Sequence, residues 1–251
     1  FELRWALSAG PATLFEHDPG FRILLGRYYD QVRQEYPVVV DLPATQAPED
    51  MTPHVVRHQF RRSQDGWPLT QIGPGVLTVN HNEEYTWDAF RPRLLAAVQA
   101  LFRSYPTDIA PLRATQLLLR YINAIPLTDQ QISVTEFLAR FLHTRIDVDS
   151  MLFQPGHVTN RPSEFNLTLA FPAPTVRATA TLSFALGVRG GEQSLIWQLI
   201  VRSDQDGAPQ APDSFEPWLR AAHDDIIEPW FFTLCRGELL ERFEGNADNN
   251  G

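Results

Sequence analysis

The amino-acid sequence predicts an α+β fold in which two similar modules form one curved antiparallel sheet with helices on one face. Three observations support this prediction. Segments that alternate apolar and polar residues indicate strands, whereas segments with apolar residues three and four positions apart indicate helices. These segments follow the order β-α-β-β-α and then β-α-β-β-β-α along the 251 residues. Both halves end with a strand, a polar loop, a hydroxyl residue and an aromatic residue that opens a helix.

The first half contains three predicted strands and two predicted helices. Asp18 and Pro19 are suited to begin the first helix, because proline is favoured at the first helical position. We expect Gly73-Pro74-Gly75 to introduce a bulge or bend within a single strand. The predicted elements are a strand over 1–7, a helix between Pro19 and Pro37, a loop over 41–53, strands over 54–62 and 68–80, and a helix over 87–104 capped by Thr86.

The second half repeats this order with one extra strand. Ser133 and Glu136 form the sequence pattern of a capping box at the start of its first helix. The composition of the final residues predicts a disordered tail. The predicted elements are a strand over 114–127, a helix over 133–142, strands over 164–171, 176–188 and 194–203, and a helix over 215–242.

This order divides the chain into a first module over residues 1–108, a second module over 109–244 and a tail over 245–251. Two such modules joined edge to edge would form a pseudo-twofold saddle like that of the TATA-binding protein or of gyrase inhibitors. The analogy concerns the fold alone and carries no information about chemistry. The first strand pattern begins at Phe1, so we expect further residues upstream of this numbering.

Composition and charge exclude several classes of protein. Hydrophobic residues make up 43% of the chain and charged residues 20%, which is typical of a globular protein. No apolar run reaches the roughly 18 residues that a membrane span requires, so we expect no membrane association. A net charge of −9 disfavours nucleic acid as a partner. The single cysteine, Cys235, excludes an internal disulfide and indicates a cytoplasmic location.

No recognised catalytic or metal-binding motif is present in the sequence. His54 and His58 fall on a predicted strand, where side chains four residues apart are separated by about 13 Å, too far to share an ion. Asp147 and Asp149 resemble the start of a calcium loop, but the residues that follow supply no further oxygen ligands. We interpret Asp224-Asp225 as the solvated face of a helix. The sequence therefore predicts no catalytic residue, no metal and no cofactor, and favours a non-enzymatic protein.

Polar residues on the predicted strands are the candidate ligand-binding groups. If several face the same side, they would form an arginine-rich concave surface suited to an anionic small molecule, an acidic peptide or nucleic acid. Alternatively, these arginines cover sheet edges and pair with carboxylates such as Glu2 and Glu164. The candidates are Arg4, Arg57, Arg61, Arg120, Asn123, Asn166 and Arg177.

Several segments together resemble a family of roughly 250-residue prokaryotic proteins that is sporadically distributed and uncharacterised. The segments are "FELRW", "GPGVLTVN" with the following "YTWDAF", "LLLRYIN" and "AAHDDIIEPWFFTL". The resemblance covers nearly the whole chain, although Ala124-Ile125 departs from the basic pair that members carry after the asparagine. It implies no activity, cofactor or catalytic residue. Patchy distribution is typical of mobile or defence-related genes, so the resemblance implies a toxin–antitoxin or anti-phage context.

The leading hypothesis from the sequence is a binding protein that recognises a partner protein or an anionic ligand. A homo-oligomer is also compatible with this hypothesis. One alternative is a small-molecule sensor or hydrolase with a cleft between the modules, using Glu2, Arg4, Arg120 or Asn166. Another alternative is a protein that binds single-stranded nucleic acid on the sheet, which the net charge disfavours.

Overall fold

The structure is a computed structural model that describes residues 1–9, 16–82, 84–127, 132–154 and 156–247. Within the last range, the side chains of residue 242 and of residues 244–247 are not described. The fold is α+β, as the sequence predicts, with a large antiparallel sheet and several helices.

Eleven strands lie within the described residues. They are β1 (Glu2–Trp5), β2 (Ser8–Ala9), β3 (Glu16–His17), β4 (Val38–Asp41), β5 (His58–Arg61), β6 (Leu69–Gly73), β7 (Val76–Asn80), β8 (Ala114–Pro126), β9 (Asn166–Ala173), β10 (Ala178–Arg189) and β11 (Glu192–Asp204). Nine of them form one sheet in the order β4-β5-β6-β7-β1-β8-β11-β10-β9, and β2 pairs with β3. In β1, Glu2 pairs with Thr78 on one side and with Leu118 on the other.

Six α-helices and one π-helix accompany the strands in the described part of the chain. They are α1 (Phe21–Val32), α2 (Trp87–Ser104), α3 (Val134–Phe141), α4 (Phe215–Ala222), the π-helix (His223–Ile227), α5 (Glu228–Cys235) and α6 (Glu238–Ala247). Thr86 caps α2 by accepting a hydrogen bond from the Ala89 N–H at 3.2 Å. The Ser133–Glu136 capping box of α3 is present in both directions. These two predicted caps are therefore confirmed, whereas the predicted start of the first helix at Asp18 and Pro19 is wrong, because α1 begins at Phe21 with Gly20 as its N-cap.

The chain divides into two compact units that are each discontinuous in sequence. The first unit comprises Phe1–Leu119, Pro174–Ala178 and Arg202–Arg220, and the second comprises Arg120–Ala173, Thr179–Val201 and Ala221–Gly251. The predicted modules, 1–108 and 109–244, rest on a repeated sequence pattern and stay predictions.

The core of the first unit forms where α1 and α2 cover strands with apolar residues on one face. Leu94, Val98 and Leu101 of α2 are fully buried at helical spacing. Tyr28 of α1 is also fully buried, and its hydroxyl makes a 2.8 Å hydrogen bond with the Thr70 hydroxyl of β6. Burial raises the pKa of Tyr28 because the charged phenolate would lose its hydration. The burial of each of the apolar α2 side chains contributes about 1.5–3 kcal/mol to the free energy of folding.

The core of the second unit combines residues of β10 and β11 with α3, α5 and α6. Phe184, Leu195 and Trp197 are fully buried on the strands. Phe137 and Phe141 of α3 pack against each other with ring centroids 4.7 Å apart. The buried cluster comprises Val134, Phe137, Leu138, Phe141, Leu142, Phe184, Leu195, Trp197, Cys235 and Leu239.

One predicted strand is wrong, and one strand of the nine-stranded sheet has no counterpart among the predicted elements. The segment 68–80 is a hairpin of β6 and β7 rather than one bulged strand, with Gly73 paired to Val76 around Pro74-Gly75. Gly75 has a φ of +74°, a conformation that glycine adopts without strain and that allows the chain to reverse. In addition, Val38–Asp41 forms the edge strand β4 against β5, because three consecutive β-branched valines suit a pleated surface.

The predicted final helix over 215–242 is interrupted twice. The π-helix separates α4 from α5, and Gly237 with a φ of +81° separates α5 from α6. The predicted disordered tail, 245–251, overlaps α6, because the backbone of residues 245–247 is helical. Residues 248–251 lie outside the described residues.

Candidate functional site

A polar pocket of about 670 Å³ lies within the first unit. Ligand pockets have volumes of roughly 300–1,000 Å³, so a metabolite-sized molecule fits this one. Four segments contribute to its wall: Ala6 after β1, residues 113–115 around the start of β8, the turn before β10 and the loop after β11. The polar side chains of the lining are Arg113, Thr115, Arg177, Gln205, Asp206 and Gln210.

The β8 side of the pocket is fixed by backbone hydrogen bonds and a buried carboxylate. The Ala6 N–H donates to the Arg113 carbonyl at 2.9 Å, which joins the end of β1 to the start of β8. Trp5, the residue before Ala6, donates from its indole N–H to Asp18 at 2.8 Å. Trp5 is fully buried. These contacts hold the backbone that carries Arg113 and Thr115.

Asp18 accepts the hydrogen bonds that join these segments, although the sequence indicates only a role at the start of a helix. Its carboxylate accepts hydrogen bonds from Trp5, from the Tyr105 hydroxyl at 2.9 Å, and from the backbone N–H groups of Gly20 and Gly75 at 3.0 and 3.2 Å. Burial and the adjacent charge of Asp18 raise the pKa of Tyr105, so its hydroxyl stays a donor. Four donors compensate the cost of burying this carboxylate.

The opposite wall holds Arg177 in a left-handed backbone conformation. Arg177 has a φ of +49°, which is strained for a residue with a side chain. Ser203 donates to the Arg177 carbonyl at 3.1 Å and accepts from the indole N–H of Trp218 at 2.8 Å. A side chain on Gly207 would come within 2.5 Å of the same carbonyl, so only glycine fits there. The fold thus fixes the strained turn that presents Arg177.

The loop after β11 completes the lining. Gln205 is also left-handed, with a φ of +45°, and its carbonyl accepts from the Ala208 N–H at 2.9 Å. The Gln210 side-chain amide donates to the carbonyls of Ala114 and Ala208 at 2.8 and 3.0 Å. Two of the pocket's polar residues therefore occupy strained backbone conformations, and such residues cluster at functional sites.

The charge of the pocket is opposite to that of the chain. Arg113 and Arg177 contribute two positive charges and Asp206 one negative charge, in a protein whose net charge is −9. Among the described residues, neither arginine forms an ion pair with a carboxylate. Guanidinium groups bind carboxylates and phosphates with paired hydrogen bonds. Asp206 adds a carboxylate, which can accept hydrogen bonds, to the same lining.

Three candidates from the sequence lie in the first unit outside this pocket lining. The Arg4 side chain forms an ion pair with Glu2 at 2.6 Å. Arg57 is buried, and its guanidinium donates to the Thr52 hydroxyl at 2.7 Å and to two backbone carbonyls of the preceding loop. Arg61 donates to the Gln59 side chain at 3.0 Å. These contacts give each arginine a partner within the protein.

Of the other four candidates, Arg177 alone belongs to the pocket. Arg120 and Asn166 are exposed residues of the second unit. Asn123 is half-buried in that unit, and its amide nitrogen is fully enclosed without a hydrogen-bond acceptor. The structure therefore places Arg177 beside Arg113, Gln205, Asp206 and Gln210, which the sequence did not single out.

Within the described lining, the ionisable groups are two guanidiniums and one carboxylate, and no hydrogen bond joins the Thr115 hydroxyl to a base. A separate group of possible metal ligands, His223, Asp224 and Glu228, lies in the second unit.

Comparisons with known proteins add no relative: no family model, no curated protein and no solved structure matches the chain. The resemblance to a sporadically distributed prokaryotic family therefore stays a prediction. Among the described residues, no helix is both long enough and apolar enough to cross a membrane.

Proposed function

We propose that the protein binds a small organic anion in the pocket between Arg113 and Arg177. The observation that carries this proposal is a preformed polar pocket in which two arginines lack carboxylate partners among the described residues. The anion would carry one or more carboxylate or phosphate groups for the arginines. A hydroxyl or amino group on it would donate to Asp206. Gln205 and Thr115 would supply further hydrogen bonds.

The fixed backbone supports a binding role for Arg177, which is exposed in the pocket lining. A left-handed residue costs roughly 1–2 kcal/mol, so the contacts around this turn must compensate the strain that holds Arg177 in place. Ser203, Trp218 and Gly207 all act on this one turn. Because the turn is fixed before the ligand arrives, little conformational entropy is lost on binding.

Binding of a panel of anions tests the proposal. Isothermal titration would use phosphate, citrate, glutamate and adenosine monophosphate with the intact protein. We expect at least one probe to bind at one site, and Arg113→Ala or Arg177→Ala to weaken it roughly tenfold to a hundredfold, because each removes a charge-assisted hydrogen bond. Arg202→Ala is the matched control, since Arg202 is an exposed arginine of the same unit that pairs with Asp204 at 3.0 Å.

The outcome separates the pocket from the sheet face that the sequence suggested. If Arg120→Ala weakens the bound anion while Arg177→Ala does not, the ligand binds the strand face of the second unit. If no probe binds at millimolar concentration, the pocket proposal is refuted. It is also refuted if Arg113→Ala and Arg177→Ala change the affinity no more than the control Arg202→Ala.

Several finer predictions from the sequence remain proposals alongside this one. These are the pseudo-repeat with its saddle-like sheet, recognition of a protein partner or a second copy, a cytoplasmic location, and a toxin–antitoxin or anti-phage context. The pocket adds no argument for any of them. It favours the anionic ligand over the protein partner that the sequence left as an equal possibility.

A further inference from the structure

A π-helix in the second unit brings together three groups that can bind a metal ion. It spans His223–Ile227 and joins α4 to α5 without a break in the chain. Single π turns of this kind are rare within helices and are frequent at functional sites. The segment carries His223 and Asp224, and Glu228 follows as the first residue of α5.

The wide π turn makes the convergence possible. In an α-helix, residues five positions apart point about 140° away from each other, because each residue turns by about 100°. His223 and Glu228 would then lie on different faces. In the π-helix, one potential ligand atom from each of His223, Asp224 and Glu228 lies within 4.8 Å of the other two. The imidazole and the two carboxylates therefore share one side.

The three groups differ in burial in a way that suits an ion at the surface. His223 is buried, with 7% of its surface exposed, and its ring lies 5.9 Å from that of Tyr121. Asp224 and Glu228 are exposed. The His223 Nδ1 atom lies 2.7 Å from a carboxylate oxygen of Asp224. The protein thus fixes the imidazole on the inside, and the carboxylates complete the group from the solvent side.

The local charge favours a cation. The ligand oxygens of Asp224 and Glu228 lie within 4.8 Å of each other. In the described part of the chain, no arginine forms an ion pair with Asp224 or Glu228. Like charges at this separation repel each other. A divalent cation would relieve this repulsion.

We propose that His223, Asp224 and Glu228 bind one divalent transition-metal ion, with Zn²⁺ as the best match. Imidazole nitrogen and carboxylate oxygen are both ordinary zinc ligands, whereas Mg²⁺ and Ca²⁺ prefer oxygen alone. Three protein donors leave at least one coordination position for water. This site is in the second unit and is independent of the anion pocket.

Titration of the metal-free protein with Zn²⁺ and Co²⁺ tests this proposal. We expect one ion per chain, with Co²⁺ giving visible absorption bands that change when the imidazole ligand is removed. His223→Gln and Glu228→Gln should each weaken binding by at least about tenfold, since metal sites lose this much even when a supporting residue is removed. Asp225→Asn is the matched control, because it removes a neighbouring exposed carboxylate outside the group, and should leave affinity unchanged.

Glu228→Gln keeps the test decisive if His223→Gln fails to fold, since Glu228 is exposed. Circular dichroism checks the fold of each variant. The proposal is overturned if no stoichiometric uptake of Zn²⁺ or Co²⁺ occurs, which would leave His223 and Asp224 as a simple hydrogen-bonded pair. It is also overturned if Asp225→Asn weakens binding as much as Glu228→Gln, or if Mg²⁺ competes with Zn²⁺ on equal terms.

Discussion

Replacing Arg177 with glycine should weaken ligand binding without a cost in stability. Arg177 has a φ of +49°, and any residue with a side chain pays roughly 1–2 kcal/mol for that conformation. Glycine adopts it freely but loses about 0.5–1 kcal/mol more backbone entropy than alanine on folding. Arg177→Gly should therefore be more stable than Arg177→Ala by up to about 1 kcal/mol, because alanine keeps the strain and loses the guanidinium.

Thermal unfolding of the two variants measures this difference. In a protein of this size, 1 kcal/mol shifts the melting temperature by roughly 2–4 °C. The same pair of substitutions at Arg202 is the control. Arg202 lies within β11, where glycine is expected to be less stable than alanine, so the order should reverse. Anion affinity should fall equally in Arg177→Gly and Arg177→Ala. If Arg177→Ala is as stable as Arg177→Gly, the turn is not held in the left-handed conformation and the argument for a preformed pocket fails.

Four other predictions concern the framework of the two units. Asp18→Asn should reduce the free energy of unfolding, measured by urea denaturation, by about 3 kcal/mol, because the buried amide cannot accept hydrogen bonds from all four donors. A loss below about 1 kcal/mol would contradict the central role of this carboxylate. Ser133→Ala should cost about 1 kcal/mol through the lost cap of α3. Hydrogen bonds from Ser133 lower the pKa of Glu136 in the folded protein. The stability that this carboxylate contributes is therefore present above its unfolded pKa and is lost as the pH falls through its folded pKa. Glu136→Gln should remove this pH dependence and flatten the acid side of a curve of unfolding free energy against pH. Burial raises the pKa of the Cys235 thiol to about 11. The thiol should therefore resist alkylation by iodoacetamide at pH 8 until the protein unfolds. Fast labelling of the native protein would contradict this and would show that α5 opens.

The parts of the fold with a clear local signal could be predicted from the sequence. The apolar spacing of Leu94, Val98 and Leu101 identifies α2, and Thr86 identifies its start. Ser133 and Glu136 identify α3 in the same way. Strand alternation located β8, β10 and β11 to within a few residues. These elements depend on periodicity and capping, which are properties of neighbouring residues.

Features that depend on distant contacts could not be predicted. Gly73-Pro74-Gly75 is compatible with a bulge or a hairpin, and only the pairing of β6 with β7 distinguishes them. The π-helix at His223 has no sequence signature that differs from an ordinary helix. Asp224 and Asp225 are exposed, as the interpretation of a solvated helix face predicts, but the sequence pattern does not reveal that Glu228 lies close to Asp224.

The pocket was only partly predictable for the same reason. Arg177 is a candidate because it lies on the predicted strand over 176–188, whereas in the structure it precedes β10, and its neighbours in the pocket come from segments that are remote in sequence. Arg113 directly precedes β8, and Gln205 and Gln210 lie in the loop after β11. A sequence pattern does not reveal that Ser203 donates a hydrogen bond to the Arg177 carbonyl, or that a side chain at Gly207 would clash with it. Arg57 illustrates the opposite case, because its strand position suggested a ligand and its burial gives it loop carbonyls instead.

The most direct test of the pocket is a crystal structure of the protein soaked with the anion from the panel that binds most tightly. The account predicts density in the pocket, with an acid group of the anion within about 3 Å of guanidinium nitrogens from both Arg113 and Arg177. Asp206 should accept a hydrogen bond from the same molecule. An anion bound at another surface, with the pocket filled by solvent alone, would contradict the account.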